Sequence, residues 1–190
     1  MVRYRFYPTL LNAFARFESG KLDETSLLNI INRIRVPATV EQIQGISFEN
    51  AIIKGEHEEM FPVHIIAEVR SLLPRPMVAT QVYCEYQFED VLIYGYVDVI
   101  GKSLAVDIKT TRMYSPGLFA NSHQNFYLPA LRSRGIRTLR YVITDFEKVY
   151  EENYGLQTDF SEQIMQIRAF CSYIEAHREM ITDRKIFGGL

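Results

Sequence analysis

Two acids and a lysine are embedded in stretches that otherwise have the pattern of buried β-strands. Asp98 lies near the end of one run of aliphatic residues, and Asp107 and Lys109 lie in the next. The short turn at Gly101 predicts a hairpin. Asp107 and Lys109 then share a face, which Asp98 can reach from the neighbouring strand. Because a buried carboxylate is costly unless it is paired or binds a metal, this pattern indicates either a divalent-cation site or a structural ion-pair cluster.

Composition places few limits on function. The 190 residues are 47% hydrophobic and 23% charged, as expected for a soluble domain with one core. The net charge of −2 argues against a protein that coats nucleic acid, although an enzyme could combine an acidic metal site with a local basic strip. The candidate strip consists of Arg132, Arg134, Arg137 and Arg140.

Cellular location is predicted from what the chain lacks. No run approaches the roughly 20 apolar residues of a membrane helix, and the N-terminus has no apolar signal segment. We therefore expect a cytoplasmic protein without a membrane partner. Cys84 and Cys171 form no motif and are predicted to be free thiols.

The hydrophobic pattern predicts an α/β fold, in which a mixed β-sheet is flanked by helices. Helices are expected at 10–17, 23–34, 39–54, 62–73, 116–134 and 159–180, and strands at 77–88, 91–100, 103–110, 138–145 and 148–153. We expect a single domain over 1–190, with a helical N-terminal extension at 1–38, a core at 39–155 and a C-terminal helix in 156–190. The Gly188-Gly189 tail is predicted to fray.

The motifs together resemble those of a known family. The pair Gly95-Tyr-Val-Asp98 and Asp107-Ile-Lys109-Thr110 resembles the PD-(D/E)XK nuclease superfamily, in the variant found in phage and bacterial recombination-type exonucleases. Gly45-Ile-Ser-Phe-Glu49 is similar to the Gly-x-x-x-Glu element of those families. Their downstream Gln-x-x-x-Tyr element has a similar stretch in Gln124 and Tyr127, with His123 at the glutamine position when Tyr127 is aligned.

The resemblance implies a restriction-endonuclease-like αβββαβ core and metal-dependent hydrolysis of DNA, with exonuclease as the preferred mode. It implies that Glu49, Asp98, Asp107 and the carbonyl of Ile108 hold Mg²⁺ or Mn²⁺, and that Lys109 contacts the attacking water and the phosphate. The residues expected to contact nucleic acid are Thr110, His123, Gln124, Tyr127, Arg132 and Arg134. A role in recombination, repair or phage DNA processing follows from the same resemblance, and a homo-oligomer is compatible with it.

Other interpretations stay open. The chain could be a nuclease-fold module that binds nucleic acid or assembles with other proteins without turnover, or it could hydrolyse another phosphoester such as a nucleotide. Helix packing explains His123, Gln124 and Tyr127 equally well, and the arginines could form a solvated helix end. The sequence does not distinguish DNA from RNA, or single strands from duplexes.

Overall fold

The computed structural model describes residues 1–188, which form a six-stranded sheet with helices on both sides. The strands are β1 (Tyr4–Phe6), β2 (Ala79–Phe88), β3 (Val91–Ile100), β4 (Leu104–Thr110), β5 (Thr138–Thr144) and β6 (Val149–Gly155). The helices are α1 (Pro8–Glu18), α2 (Glu24–Ile31), α3 (Val40–Lys54), α4 (Val63–Ser71), α5 (Tyr127–Leu131) and α6 (Ser161–Ala176). Gly189 lies outside the described residues, so the predicted fraying of the tail is not tested there.

The sheet mixes parallel and antiparallel pairs, which confirms the predicted α/β class with its helical N-terminal segment. Strand β3 pairs with β2 along its whole length, and its other edge is divided between β1 at the start and β4 at the end. Strand β4 continues in parallel to β5, which pairs with β6 in the antiparallel sense. Strands β3 and β4 form the predicted hairpin, β2 follows the strand predicted over 77–88, and β6 confirms the strand expected near 148–153.

Two layers of helices cover the sheet. Helices α3 and α4 pack on one side around the buried side chains of Phe48, Ile65 and Val106. Helices α1 and α6 pack on the other side around Phe14 and Phe170, together with α5 further along the sheet. No helix in this described part of the chain is both long enough and apolar enough to cross a membrane.

Helix α3 has well-defined ends, which fix the position of the acid that it carries. Thr39 and Gln42 form a capping box at its start, where each side chain bonds to the backbone N–H of the other residue. Gly55 ends the helix in the left-handed conformation, with φ of 75°. These local signals explain why the predicted helix over 39–54 is confirmed.

The continuous helix predicted over 116–134 is wrong. In its place the chain forms turns, a 3₁₀ turn at His123–Phe126, the short helix α5 and a second 3₁₀ turn at Arg132–Arg134. Pro129 offers a physical reason. In an α-helix its ring would clash with the carbonyl four residues earlier, so the α-helix cannot begin much before Tyr127. Gly117, with φ of 81°, interrupts helical geometry further upstream.

Smaller differences occur at the two termini. The three-residue strand β1 was not predicted, since such a short segment shows no recognisable period. The final helix ends at Ala176 rather than near Met180, and a 3₁₀ turn at Arg178–Met180 follows it. Strand β1 and the final helix both pack in the same core cluster as α1, so their bounds depend on contacts between residues far apart in the chain.

Candidate active site

The candidate site lies where β3 and β4 separate. The antiparallel ladder between the two strands ends at the pair of Val99 and Val106. Beyond it, Asp98 Oδ2 accepts a hydrogen bond of 2.7 Å from the backbone N–H of Ile108. A side-chain carboxylate therefore takes the place that a strand carbonyl would occupy in a continued ladder, and this contact holds Asp98 beside β4.

Buried residues of β3 change sides at the same point. Val97 packs in the cluster of α5, whereas Val99 packs in the cluster of α3 and α4. In a regular strand these two residues would face the same side of the sheet. Opposite this irregularity, Gln81 on β2 adopts a left-handed backbone conformation with φ of 50°. The break in alternation is consistent with the Asp98 side chain reaching sideways to the backbone of β4.

Asp107 and Lys109 lie on one face of β4, as their spacing predicted. Lys109 Nζ is 2.6 Å from Asp107 Oδ2, and Asp107 is only 2% exposed. The same Oδ2 atom is buried and accepts no hydrogen bond of good geometry. The carboxylate is thus paired in charge with Lys109 but retains unused capacity to accept a further ligand.

Glu49 reaches the site from α3 through a residue that sequence reasoning did not identify. Gln81 Nε2 donates to Glu49 Oε1 at 2.5 Å and lies 3.3 Å from Asp98 Oδ1. One amide therefore links the helix acid to the strand acid. No signal in the sequence singled out Gln81, because its role depends on the approach of α3 to β2.

The four charged groups of the site, Glu49, Asp98, Asp107 and Lys109, perturb one another. Burial raises the pKa of Asp98 well above its usual range, and the nearby charge of Asp107 raises it further. Burial also raises the pKa of Glu49, although Lys109 opposes the shift. Burial acts to lower the pKa of Lys109, but the charges of Asp107 and Asp98 outweigh it, so the net shift is upward. Lys109 is therefore a permanent cation at neutral pH.

The acids are not arranged as a ready-made metal cage. Among residues 1–188, no three His, Cys, Asp or Glu side chains are grouped so that they could hold a metal ion as they stand. The acids are instead engaged by the Ile108 N–H, Gln81 and Lys109. The donor set nevertheless suits Mg²⁺ or Mn²⁺, because it offers hard carboxylate oxygens and the buried Asp107 Oδ2 lacks a hydrogen bond.

Two glycines of the motifs permit close contacts around the site. A Cβ atom on Gly95 would lie 2.7 Å from the hydroxyl of Tyr127, and one on Gly45 would lie 3.1 Å from Thr110 Oγ1. Gly95 thus lets α5 approach β3, and Gly45 lets α3 approach the end of β4. Tyr127 and Thr110 are held by this packing, and whether either contacts nucleic acid stays a prediction.

The remaining predicted contact residues on the 3₁₀ turn face the protein interior. His123 is fully buried, with Nδ1 2.9 Å from Asn12 Oδ1 of α1. Gln124 Oε1 accepts a hydrogen bond of 2.7 Å from Asn12 Nδ2, and the residue Gln124 is 8% exposed. His123 therefore has no exposed surface with which to contact a nucleic acid, and its placement agrees with the packing alternative.

Replacing His123 by Asn should remove an acid-sensitive contribution to stability. Burial lowers the pKa of His123 to about 4, and its Nε2 atom has no hydrogen-bond partner. The unfolded chain binds this proton near pH 6.5, so His123 lowers the free energy of unfolding as the pH falls from about 6.5 to 4, by up to about 3 kcal/mol. Below pH 4 the loss is complete. The side chain of Asn can still donate a hydrogen bond to Asn12. Urea unfolding of both proteins at pH 7 and pH 4.5 should show that the free energy of unfolding falls less for the variant than for the wild type. Equal decreases would contradict the prediction.

Arg132 and Arg134 lie on the 3₁₀ turn that precedes β5. The backbone N–H of Arg137 donates to the carbonyl of Ser103 at 2.8 Å, which places the preceding turn with Arg132 and Arg134 beside the start of β4. Lys109 lies near the other end of this strand, about 17 Å along it. The Arg140 side chain on β5 donates a hydrogen bond to Asn153 on the neighbouring strand β6. Whether Arg132 and Arg134 contact a nucleic acid stays a prediction.

Comparisons with known proteins identify two solved structures with a similar fold. No protein-family model and no curated protein sequence matches this chain. A protein from Eubacterium rectale that is named as a candidate exonuclease has a similar crystal structure, with a TM-score of 0.60 and 10% identity over 95% of this chain and 83% of that one. The crystal structure of SSO0001 is also similar, with a TM-score of 0.52 and 18% identity over 91% of this chain and 78% of that one. At these identities the chain shares the overall fold of both proteins.

Proposed function

We propose that this chain is a metal-dependent nuclease of the PD-(D/E)XK type that hydrolyses phosphodiester bonds in DNA. The observation that carries the proposal is the hydrogen bond from the Ile108 N–H to Asp98, which holds one carboxylate beside the Asp107–Lys109 pair where two strands separate. The similarity in fold to a protein named as a candidate exonuclease supports a nuclease and makes exonuclease action the preferred mode. We place its role in recombination, repair or phage DNA processing.

The chemistry divides among the residues of the site. Hydrolysis joins the oxygen of water to phosphorus and breaks the bond to the leaving oxygen, which takes up a proton. A Mg²⁺ or Mn²⁺ ion bound by Glu49, Asp98, Asp107 and the carbonyl of Ile108 would supply a water of lowered pKa and neutralise charge on the phosphate.

Lys109 acts as a cation in this scheme rather than as a base. Its raised pKa keeps the ammonium charged, so it donates hydrogen bonds to the phosphate and to the attacking water. Asp107, 2.6 Å away, fixes the direction of that ammonium. Burial is the main cause of the raised pKa values of Asp98 and Glu49, and the nearby charge of Asp107 adds to both shifts, so a bound cation would favour their ionised forms.

The purified protein should remove nucleotides from linear DNA in the presence of Mg²⁺ or Mn²⁺ but not in EDTA. The assay compares linear single-stranded, linear double-stranded and circular DNA, with Asp107→Ala as the inactive variant. Glu56→Gln, which changes an exposed acid outside the site, serves as the matched control and should keep full activity. A thermal unfolding scan with Mn²⁺ should show stabilisation of the wild type and less for Asp107→Ala, because a ligand of the native state stabilises it.

Each outcome leads to a definite conclusion. Loss of linear DNA alone, absent in Asp107→Ala, would support an exonuclease, whereas nicked circles would indicate an endonuclease. Binding without cleavage under both metals would support the non-catalytic binding module in place of the proposal. Full activity of Asp107→Ala would show that the acids on β3 and β4 are not the catalytic site.

A further inference from the structure

One part of the sheet is left open beside the candidate site. Paired residues of a sheet face the same side, and Tyr4 and Phe6 of β1 are buried with their partners on β3. The alternate residues therefore face the opposite side, which α3 and α4 cover only further along the sheet. The open surface is formed by Arg5 of β1, Tyr83 and Glu85 of β2, and Tyr94 and Tyr96 of β3, and we call it the tyrosine face. The Tyr83 hydroxyl donates to Glu85 on this face at 2.7 Å.

Two aromatic side chains of this face are exposed to solvent. Tyr83 and Tyr96 pair across the two strands with ring centroids 5.5 Å apart and an interplanar angle of 65°. They are 38% and 57% exposed. Cross-strand packing explains why the two rings touch. It does not explain why so much apolar ring surface is left in water, which is unfavourable unless a partner covers it.

A basic cavity continues the tyrosine face. This cavity of ≈ 640 Å³ is lined by Arg5, Arg33, Tyr94, Asp183, Arg184 and Lys185. Arg33 is neutralised by Asp183, since the two side chains lie 2.7 Å apart, and it also donates to the hydroxyl of Tyr94 at 2.8 Å. The other three cations leave a net positive charge, and the guanidinium of Arg5 lies 5.6 Å from the centroid of the Tyr94 ring.

The rings and the candidate acids follow one another on the same strand. Tyr96 precedes Asp98 by two residues, and Tyr94 precedes it by four, which corresponds to about 13 Å of extended strand. Gln81 and Tyr83 are similarly two residues apart on β2, and Gln81 bonds to Glu49. A chain molecule lying on the tyrosine face would therefore reach Gln81, whose side-chain amide bonds to Glu49 and lies 3.3 Å from Asp98 Oδ1.

We propose that the tyrosine face and its basic cavity bind a single-stranded nucleic acid and direct it to the acids. Exposed rings stack on bases that are free of a partner strand, and a neighbouring cationic groove attracts the phosphates. In a duplex the bases are already stacked on one another inside the helix, so they are not available to stack on the tyrosine rings. This inference rests on the proposed function, and it names the substrate as a single strand.

The test measures binding in EDTA, where cleavage does not interfere. A fluorescently labelled DNA single strand of about 12 nucleotides is titrated with protein, beside a blunt duplex of the same sequence. Tyr96→Ala should weaken single-strand binding by about tenfold, and Tyr83→Ala should weaken it similarly. Tyr96→Phe, which keeps the ring, should bind like the wild type. Met165→Ala serves as the control, since this exposed side chain lies on α6 across the sheet.

Charge is tested separately from stacking. Arg184→Ala and Lys185→Ala change exposed residues of the cavity outside the candidate catalytic group. Each should lower the slope of log K against log salt concentration by about 0.7 if its cation contacts one phosphate of a single strand. Tyr96→Ala should leave that slope unchanged, because it removes an aromatic ring and no cation.

Failure of this inference is distinguishable from failure of the proposed function. Duplex binding as tight as single-strand binding, or no effect of Tyr96→Ala and Tyr83→Ala, would overturn it even if the protein cleaves DNA. Conversely, tyrosine-dependent single-strand binding in EDTA would uphold it even if no metal supports cleavage, and only the nuclease assignment would then fall.

Discussion

Replacing Lys109 by Met should reduce DNA cleavage by roughly 10²- to 10³-fold, the typical effect of removing one preorganised donor from a charge-stabilising site. Lys109 is the cation beside the buried acids, and its raised pKa keeps it charged. The same change leaves Asp107, which is 2% exposed, without its charge partner. We therefore also expect a loss of about 3 kcal/mol in the free energy of unfolding, measured in urea.

The double variant Asp107→Asn/Lys109→Met separates catalysis from structure. It replaces both charges by neutral groups of similar size, so most of the lost stability should return. Cleavage should be no higher than in the single variant, because the phosphate contact of Lys109 is not restored and Asp107, a proposed metal ligand, is lost as well. Lys102→Met, an exposed lysine in the turn of the same hairpin, is the matched control and should change neither property.

The opposite result would favour the structural alternative. If the double variant regained both stability and cleavage, the Asp107–Lys109 pair would be a structural ion pair with no part in the reaction. If Lys109→Met cleaved DNA at the wild-type rate, Lys109 would have no role in stabilising the phosphate, and the resemblance to the Asp-x-Lys motif would be coincidental.

Replacing Gly95 by Ala should destabilise the protein by about 1–3 kcal/mol, the usual cost of inserting a methyl group into packed surroundings. The new Cβ atom would lie 2.7 Å from the hydroxyl of Tyr127 and 3.0 Å from its Cε1 atom. Tyr127 is 7% exposed and its ring is held by α5, so neither partner can move freely. Thermal unfolding should show a decrease of about 2–4 °C in Tm for each kcal/mol.

A second substitution tests whether this clash is the cause. Tyr127→Phe removes the hydroxyl, so Gly95→Ala should cost less in that background, although the ring carbons remain close. A coupling energy of about 1 kcal/mol between the two changes would support the contact. Gly155→Ala is the control, since a Cβ atom there meets only the carbonyl of Arg137 at 4.0 Å. An equal cost in both backgrounds would show that the glycine is required for another reason.

The hairpin of β3 and β4 was predictable from the sequence because its signals are local. Alternating aliphatic residues define each strand, and the period of two places Asp107 and Lys109 on one face. The capping residues Thr39 and Gln42 similarly define the start of α3. Interactions between residues a few positions apart determine such features, so they can be inferred before any tertiary structure is known.

Only the tertiary structure decided how these elements form a site. It placed Gln81 between Glu49 and Asp98, bonded Asp98 to the Ile108 N–H, and buried His123 against α1. It also left the tyrosine face uncovered, because α3 and α4 pack further along the sheet. The sequence determined the chemical groups and their local directions, whereas burial and contact depend on residues far apart in the chain, which no local period records.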